Sequence, residues 1–394
     1  MSQPKVAVVL SGAAARGAFQ AGALAHLMPA LRAQGITPKI VLGTSAGSIN
    51  TALWGSFAHL DPVAAGDAVM DVWRSMDRPD VMKHPALTLA TGFAKLLPGA
   101  FIGKGPGLAG LMDASPLRAT AAKRFDAGQL ARNVRDGIIE TVGVTATRVP
   151  ASNTPIASGR TVMFVDSAHH EAHKVADVTR AVDAAPTQIR AEHVLASCAI
   201  PVAFPAVWVQ GPSAYRGYYA DGGIRLNAPL RPAVALGADK IIVIAANATE
   251  HTPSPNPATS RDAWPDIADA IAMTLHTVLA DRMIDDLNDL RARNQWVAEG
   301  FKKYRHIEYM PVSPAPGELA LLAESVLKSK RNQWWKVLAD SDGYAMERVL
   351  RGLGDGIGQV EILSYLFFDD EYFAAQMRLG ADAAKAALAR GWLS

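Results

Sequence analysis

Residues 39–47 read Lys-Ile-Val-Leu-Gly-Thr-Ser-Ala-Gly, and a helix-compatible stretch, 46–59, follows at once. A short apolar run bounded by glycine reads as a buried strand. Gly43-Thr44-Ser45-Ala46-Gly47 then sets a serine on a sharp strand-to-helix turn, where flanking glycines relieve crowding and the hydroxyl projects from the sheet edge. The helix beyond it aims its first amides and positive dipole end at the same point, where developing negative charge can be held. Strand, tight turn and helix in immediate succession are the unit of a parallel α/β sheet, so this stretch decides the fold class.

Working outward, residues 6–10 (Val-Ala-Val-Val-Leu) predict a second buried strand, and residues 18–34 a helix opening after Gly17. Residues 64–76 predict an amphipathic helix, and 137–147 and 161–166 further strands. Residues 241–246 form a continuous apolar run, the mark of a central parallel strand. The alternation implies a sheet covered on both faces. Residues 77–113, with Pro79, Pro85, Pro98 and Pro106 around a loosely amphipathic segment, predict an insertion or lid. Residues 251–265 hold four prolines and predict a loop. One long helix is expected over 267–297, with Ile271, Leu275, Val278, Met283, Leu287 and Leu290 along one side, and a last strand over 305–311. The remainder, 316–394, reads as a helical extension to a catalytic domain of residues 1–315.

Hydrophobic residues make up 49% of the 394 and charged ones 19%, enough apolar material for a large core and too little charge for a disordered chain. A net charge of +2 gives no field that argues for nucleic acid. The single Cys198 excludes an internal disulfide and a cysteine-rich metal site. The N-terminus reads without a secretory signal. The two long charge-free stretches, 40–60 and 194–215, carry turn residues and prolines that a membrane span would leave unpaired. A soluble, cytoplasmic chain with transient contact to membrane surfaces is expected.

Two further pieces acquire meaning beside Ser45. Ser11-Gly12-Ala13-Ala14-Ala15-Arg16-Gly17 follows the first strand, and such a small-residue loop presents backbone amides suited to phosphate or an oxyanion. It has neither the spacing of a dinucleotide fingerprint nor the Lys-Ser/Thr of a P-loop. Asp221-Gly222-Gly223 holds a carboxylate in a glycine turn; taken alone it is a turn. In this order, with Asp113-Ala114-Ser115-Pro116-Leu117, Thr145-Ala146-Thr147 and Ala196–Pro205 between them, the pieces resemble the patatin-like phospholipases over roughly residues 5–250.

The resemblance implies a three-layer α/β/α fold with a mainly parallel sheet, and a Ser–Asp dyad in place of Ser-His-Asp. By residue, it implies Ser45 as nucleophile and Asp221 as its base, with the amides of Gly12, Ala13 and Ala14 as oxyanion hole. Arg16 matches the basic residue of that loop, there to orient it or to attract a lipid phosphate. The implied activity is carboxylic ester hydrolysis on a phospholipid or other acyl lipid, of phospholipase A or lysophospholipase type, with no metal or organic cofactor. The family loop carries glycines where Ala13 and Ala14 stand. Alanine keeps the donor but resists positive φ, which bears on how the amides are aimed. Acyl transfer from the same acyl-enzyme, and a lipid-binding protein without turnover, are the alternative readings. Oligomeric state is not legible.

Other features read more plainly. His169-His170-Glu171-Ala172-His173 departs from H-E-x-x-H and reads as a solvated turn rather than a metal site. A hydrolase triad would need His251, His276 or His306, but a nucleophile as early as residue 45 argues against that fold. Cys198 reads as a small buried residue. The aromatic run 365–368 with Tyr372 and Phe373 reads as helix core, and the 77–113 insertion as the better candidate to meet a bilayer.

Overall fold

The computed structural model describes the chain apart from residues 1–3, 77–122, 152–153, 156–157, 170, 202, 252–263 and 332–355. The expected lid at 77–113, the block 113–117 and most of the Pro-rich loop lie outside the described residues.

Strand β1 (Val6–Leu10) is buried along its whole length. Val6, Val8 and Leu10 face one apolar layer, and Ala7 and Val9 face another. With a hydrophobic layer on each side, a strand has no reason to alternate with polar residues, which is why five apolar residues run consecutively. Beside it lie β2 (Ile40–Thr44), β3 (Thr141–Arg148), β4 (Arg160–Ser167) and β5 (Val182–Pro186) on one flank. A short hairpin, β6 (Val207–Val209) and β7 (Gly217–Asp221), pairs with β3, and β8 (Lys240–Ile244) and β9 (Glu308–Val312) complete the other flank. The order is β5-β4-β3-β2-β1-β8-β9. The β3–β2–β1–β8–β9 core is parallel, while β3 meets β4 and β7 antiparallel.

The register places the site. Leu10 lies beside Gly43 and Ile244, Thr44 beside Thr145, and Ala146 beside Asp221. The loops after β1 and β2 and the end of β7 therefore emerge together at the carboxyl edge of the sheet, where open α/β sheets bind ligands.

Helices α1 (Gly17–Ala33), α2 (Ala46–Phe57), α3 (Pro62–Arg74), α4 (Ala127–Arg135) and α5 (Ala191–Ser197) form one layer. Helices α6 (Leu230–Ala235) and, through Met283, Leu287 and Leu290, α8 (Arg282–Ala298) form the other. The fold is thus three-layered, α/β/α. The helix expected over 267–297 is divided: α7 (Ile267–His276) passes into α8 through a π-helical turn, Thr277–Asp281. A π turn shifts the phase of the helix surface. The expected single stripe is accordingly broken, with Met283, Leu287 and Leu290 buried but Ile271 exposed.

Toward the C-terminus follow α9 (Glu318–Arg331), α10 (Ile357–Leu366) and α11 (Asp370–Arg390). Phe373, Met377, Ala384 and Ala387 of α11 join the same apolar layer as α1. Tyr365, Phe367, Phe368, Tyr372 and Phe373 are buried, as helix core rather than a docking face. None of the described helices is long and apolar enough to cross a membrane.

The α1–α11 contact is set by two glycines. A Cβ on Gly22 would stand 2.1 Å from the carbonyl oxygen of Met377, and one on Gly380 2.0 Å from that of Phe19. Both obstructions are backbone, so they cannot swing aside. Gly380→Ala is therefore expected to destabilise the protein by ~1–3 kcal/mol, the usual cost of overpacking, read as a lower midpoint in chemical denaturation.

Candidate active site

Ser45 occupies the turn between β2 and α2 with φ +54° and ψ −127°, a conformation a non-glycine residue holds at a cost of ~1–3 kcal/mol. Its surroundings impose it. The Ser45 amide donates to Ser197 Oγ at 2.8 Å. Its carbonyl accepts from the amide of Ser48 at 2.8 Å and from the Ser48 hydroxyl at 2.6 Å. The flanking glycines answer to contact: a Cβ on Gly43 would lie 2.3 Å from the Gly47 oxygen, and one on Gly47 2.5 Å from the oxygens of Leu10 and Ser11.

Asp221 ends β7 and is 4% exposed. Its amide donates to Ala199 O at 2.8 Å, and Oδ1 accepts from the Gly223 amide at 2.6 Å. Gly222 is constrained by the Thr145 carbonyl, 2.5 Å from where its Cβ would be. Oδ2 is buried and has no hydrogen-bond partner among the described residues. Burial pushes the carboxyl pKa up from 3.8 to about 7, against the opposing pull of the Ser45 hydroxyl and the Gly223 amide, both of which favour the charged form. The structure thus brings Ser45 and Asp221 together, although they are 176 positions apart (221 − 45) in the chain.

The loop after β1 runs against this pair. A Cβ on Gly12 would lie 3.3 Å from Ser45 Cβ and 2.2 Å from Asn227 Oδ1. Of its three expected donors, the Gly12 amide donates to Asn227 O at 3.0 Å. Among the described residues the amides of Ala13 and Ala14 make no such bond. Ala14 sits at φ +47°, in the left-handed region glycine occupies freely.

Arg16 is buried. Nε donates to Ser364 Oγ at 2.9 Å and one terminal nitrogen to Asn247 Oδ1 at 2.8 Å. The other terminal nitrogen pairs with Glu361 and Ser364, and Cζ lies 3.8 Å from the centroid of the Tyr365 ring. Each guanidinium nitrogen thus has at least one partner among these residues.

Ile49, Ala52, Leu53, Val194, Leu195 and Cys198 line an apolar cavity between α2 and α5. Cys198 Sγ is 3.8 Å from Ser48 Oγ, and burial, with the Asp221 charge second, pushes its thiol pKa well up, so it is an inert wall. His193 is structural: its ring stacks on Phe164, Nδ1 accepts from the Arg190 amide, and Nε2 lies 3.1 Å from the Gly211 oxygen. His276 faces Asp281, and His251 and His306 are exposed. The segment around Glu171 is a 3-10 turn, Glu171–Val175, in which Glu171 pairs with Lys5 and Lys174. The roles of Ser197 and Asn227 were not read from sequence. Ser197 stood inside the Ala196–Pro205 block, but nothing local signals that its hydroxyl caps the Ser45 amide.

A family model, patatin-like phospholipase, matches residues 8–234, a span that runs from within β1 into α6 and includes Ser45, Asp221 and the Gly12–Arg16 loop. The chain belongs to the patatin-like phospholipase family. No curated protein matches it. Among solved structures, the crystal structure of VipD from Legionella pneumophila is 13% identical and aligns over 98% of this chain and 88% of its own, with a TM-score of 0.25. At that score the likeness carries no argument. Family membership makes this a lipid-hydrolysing type of protein; the site geometry bears on how.

Two outcomes are expected. Ala14→Gly removes the strain of a left-handed alanine, worth ~1–2 kcal/mol, against an entropic cost of ~0.5–1 kcal/mol for glycine, so denaturation should show a net gain of up to about 1 kcal/mol. Asp221, with its folded pKa raised above 3.8, contributes stability that is full below pH 4 and lost as pH rises through about 7. Asp221→Asn cannot carry that charge. Its stability relative to the parent should therefore climb between pH 4 and 7 by on the order of a few kcal/mol, measured by denaturation at each pH.

Proposed function

We propose that the protein hydrolyses carboxylic esters of acyl lipids, as a phospholipase A or lysophospholipase, through an acyl-enzyme on Ser45 with Asp221 as base. One observation carries this reading: a serine held at a strained strand-to-helix turn, and a buried carboxylate whose Oδ2 has no hydrogen-bond partner among the described residues.

The chemistry follows from the atoms. Asp221, ionised, accepts the Ser45 proton as Oγ attacks the ester carbonyl. The carbonyl oxygen takes up the negative charge and meets the free amides of Ala13 and Ala14 and the N-terminus of α2, where one lost donor typically costs ~10²–10³ in rate. Collapse expels the alcohol, which takes the proton from Asp221, and leaves an acyl group on Ser45. Water then attacks that ester, giving its proton to Asp221, and the fatty acid departs as Ser45 recovers its own. The apolar cavity along α2 supports an acyl substrate, since hydrocarbon beside Ile49, Leu53 and Leu195 leaves water. Arg16 orients the donor loop. Transient contact with a lipid surface belongs to the same reading, because the substrate resides there.

Covalent labelling with a fluorophosphonate probe, mapped by mass spectrometry, is the test. Ser45 should carry the label, and Asp221→Asn should strongly suppress it. A label elsewhere, or one on Ser45 that survives in Asp221→Asn, would overturn the assignment. Because the base must be ionised, kcat/KM should rise tenfold per pH unit at low pH and level off above about 7.

A further inference from the structure

We infer that α10 and α11, which lie outside the family-matched residues 8–234, hold the donor loop in its working conformation, with Glu361 as the positioning residue that acts through Arg16. The inference rests on Ser45 as the nucleophile that this loop serves.

Three residues of the loop and its helix, Ala15, Arg16 and Phe19, take partners from the C-terminal helices. Gln376 of α11, fully buried, donates from Nε2 to the Ala15 carbonyl at 3.0 Å and accepts the Phe19 amide at 3.2 Å. Arg16 takes Glu361, Ser364 and the Tyr365 ring from α10. Asn247, just after β8, joins them, since its Oδ1 accepts from both Arg16 and the Tyr365 hydroxyl, the latter at 2.7 Å. A guanidinium this deeply buried is tolerated only with its charge answered, and Glu361 is the carboxylate that answers it.

Immediately before these anchored residues stands Ala14 at φ +47°. A left-handed alanine persists only where its surroundings over-determine it. Ala15 and Arg16 are fixed from behind by α10 and α11, and Gly12 is fixed ahead by Asn227, so Ala14 is compelled to make the turn between them. Glycine would adopt that turn unaided. The C-terminal helices thus supply, through contacts 345 to 361 positions apart, the conformation that glycine would make available locally. Released from them, Ala14 relaxes to negative φ and its amide turns away.

Glu361→Ala in the full chain tests this, with ester turnover expressed per fluorophosphonate-labelled Ser45 so that unfolded protein does not count. Donors of the oxyanion act in the transition state, so kcat should fall ~10- to 100-fold while KM stays within about twofold. Glu361→Gln, which keeps an oxygen to accept from Arg16, should recover most of the loss. Adding Ala14→Gly to Glu361→Ala should recover part of it, because glycine needs no clamp at positive φ. A merely structural Glu361 would lower the labelled fraction or the melting temperature and leave kcat per labelled site alone, and that result would overturn the inference. So would a kcat loss that Ala14→Gly does not relieve. Should Glu361→Ala not fold, Ser364→Ala, which removes the acceptor at Nε, carries the same comparison. Absence of label on Ser45 in the parent protein would instead overturn the hydrolase reading, so the two failures are distinct.

Discussion

The first turn of α2 lies so close to the end of β1 that a Cβ at Gly47 would stand 2.5 Å from the carbonyl oxygens of Leu10 and Ser11. This approach forces the chain to leave β2 through a single tight residue, and Ser45 takes the strain at φ +54°. The same closeness brings the loop after β1 against Ser45 and aligns the N-terminus of α2 with it. Relaxing the contact would move Ser45, the loop after β1 and the helix dipole together, since all three are referenced to the ends of two adjacent parallel strands.

The second half of the site comes from a different part of the sheet. β7 is antiparallel to β3, and its last residue faces Ala146, which delivers Asp221 to the same edge from the opposite chain direction. The position is buried, so the carboxyl is held above its ordinary range by desolvation and brought down only in part by two donors. In the proposed role of base, a carboxylate that titrates near neutrality takes a proton from a hydroxyl more effectively than one at 3.8. The cost is a charge in the interior above that pH, an instance of stability given up at a working site.

Arg16 shows how such a loop can be supported from outside its own neighbourhood. Its charge is carried into the interior, toward α10, where a carboxylate, a hydroxyl, an amide and an aromatic face meet it. The C-terminal helices therefore do more than cover α1 and β9, although the Gly22 and Gly380 contact shows how tightly they pack on α1.

Local chemistry by itself determined β1, β2, α1, α2 and the turn at Ser45, because uninterrupted apolar runs and paired glycines act within a few residues of one another. It also marked Asp221 as a carboxylate in a glycine turn. It did not register β5 or the hairpin of β6 and β7, whose strands of three to five residues are pinned by partners in β3 and β4 rather than by their own pattern. Nor could it register the π turn at Thr277–Asp281, since the stripe from Ile271 to Leu290 fits an unbroken helix equally well. Only the tertiary structure decided that the Gly12 amide is spent on Asn227, that Ser197 caps Ser45, and that Arg16 turns toward Glu361. Those contacts join residues 152 to 345 positions apart, and a hydrogen bond leaves no periodicity in sequence when its partners meet only after the sheet has closed.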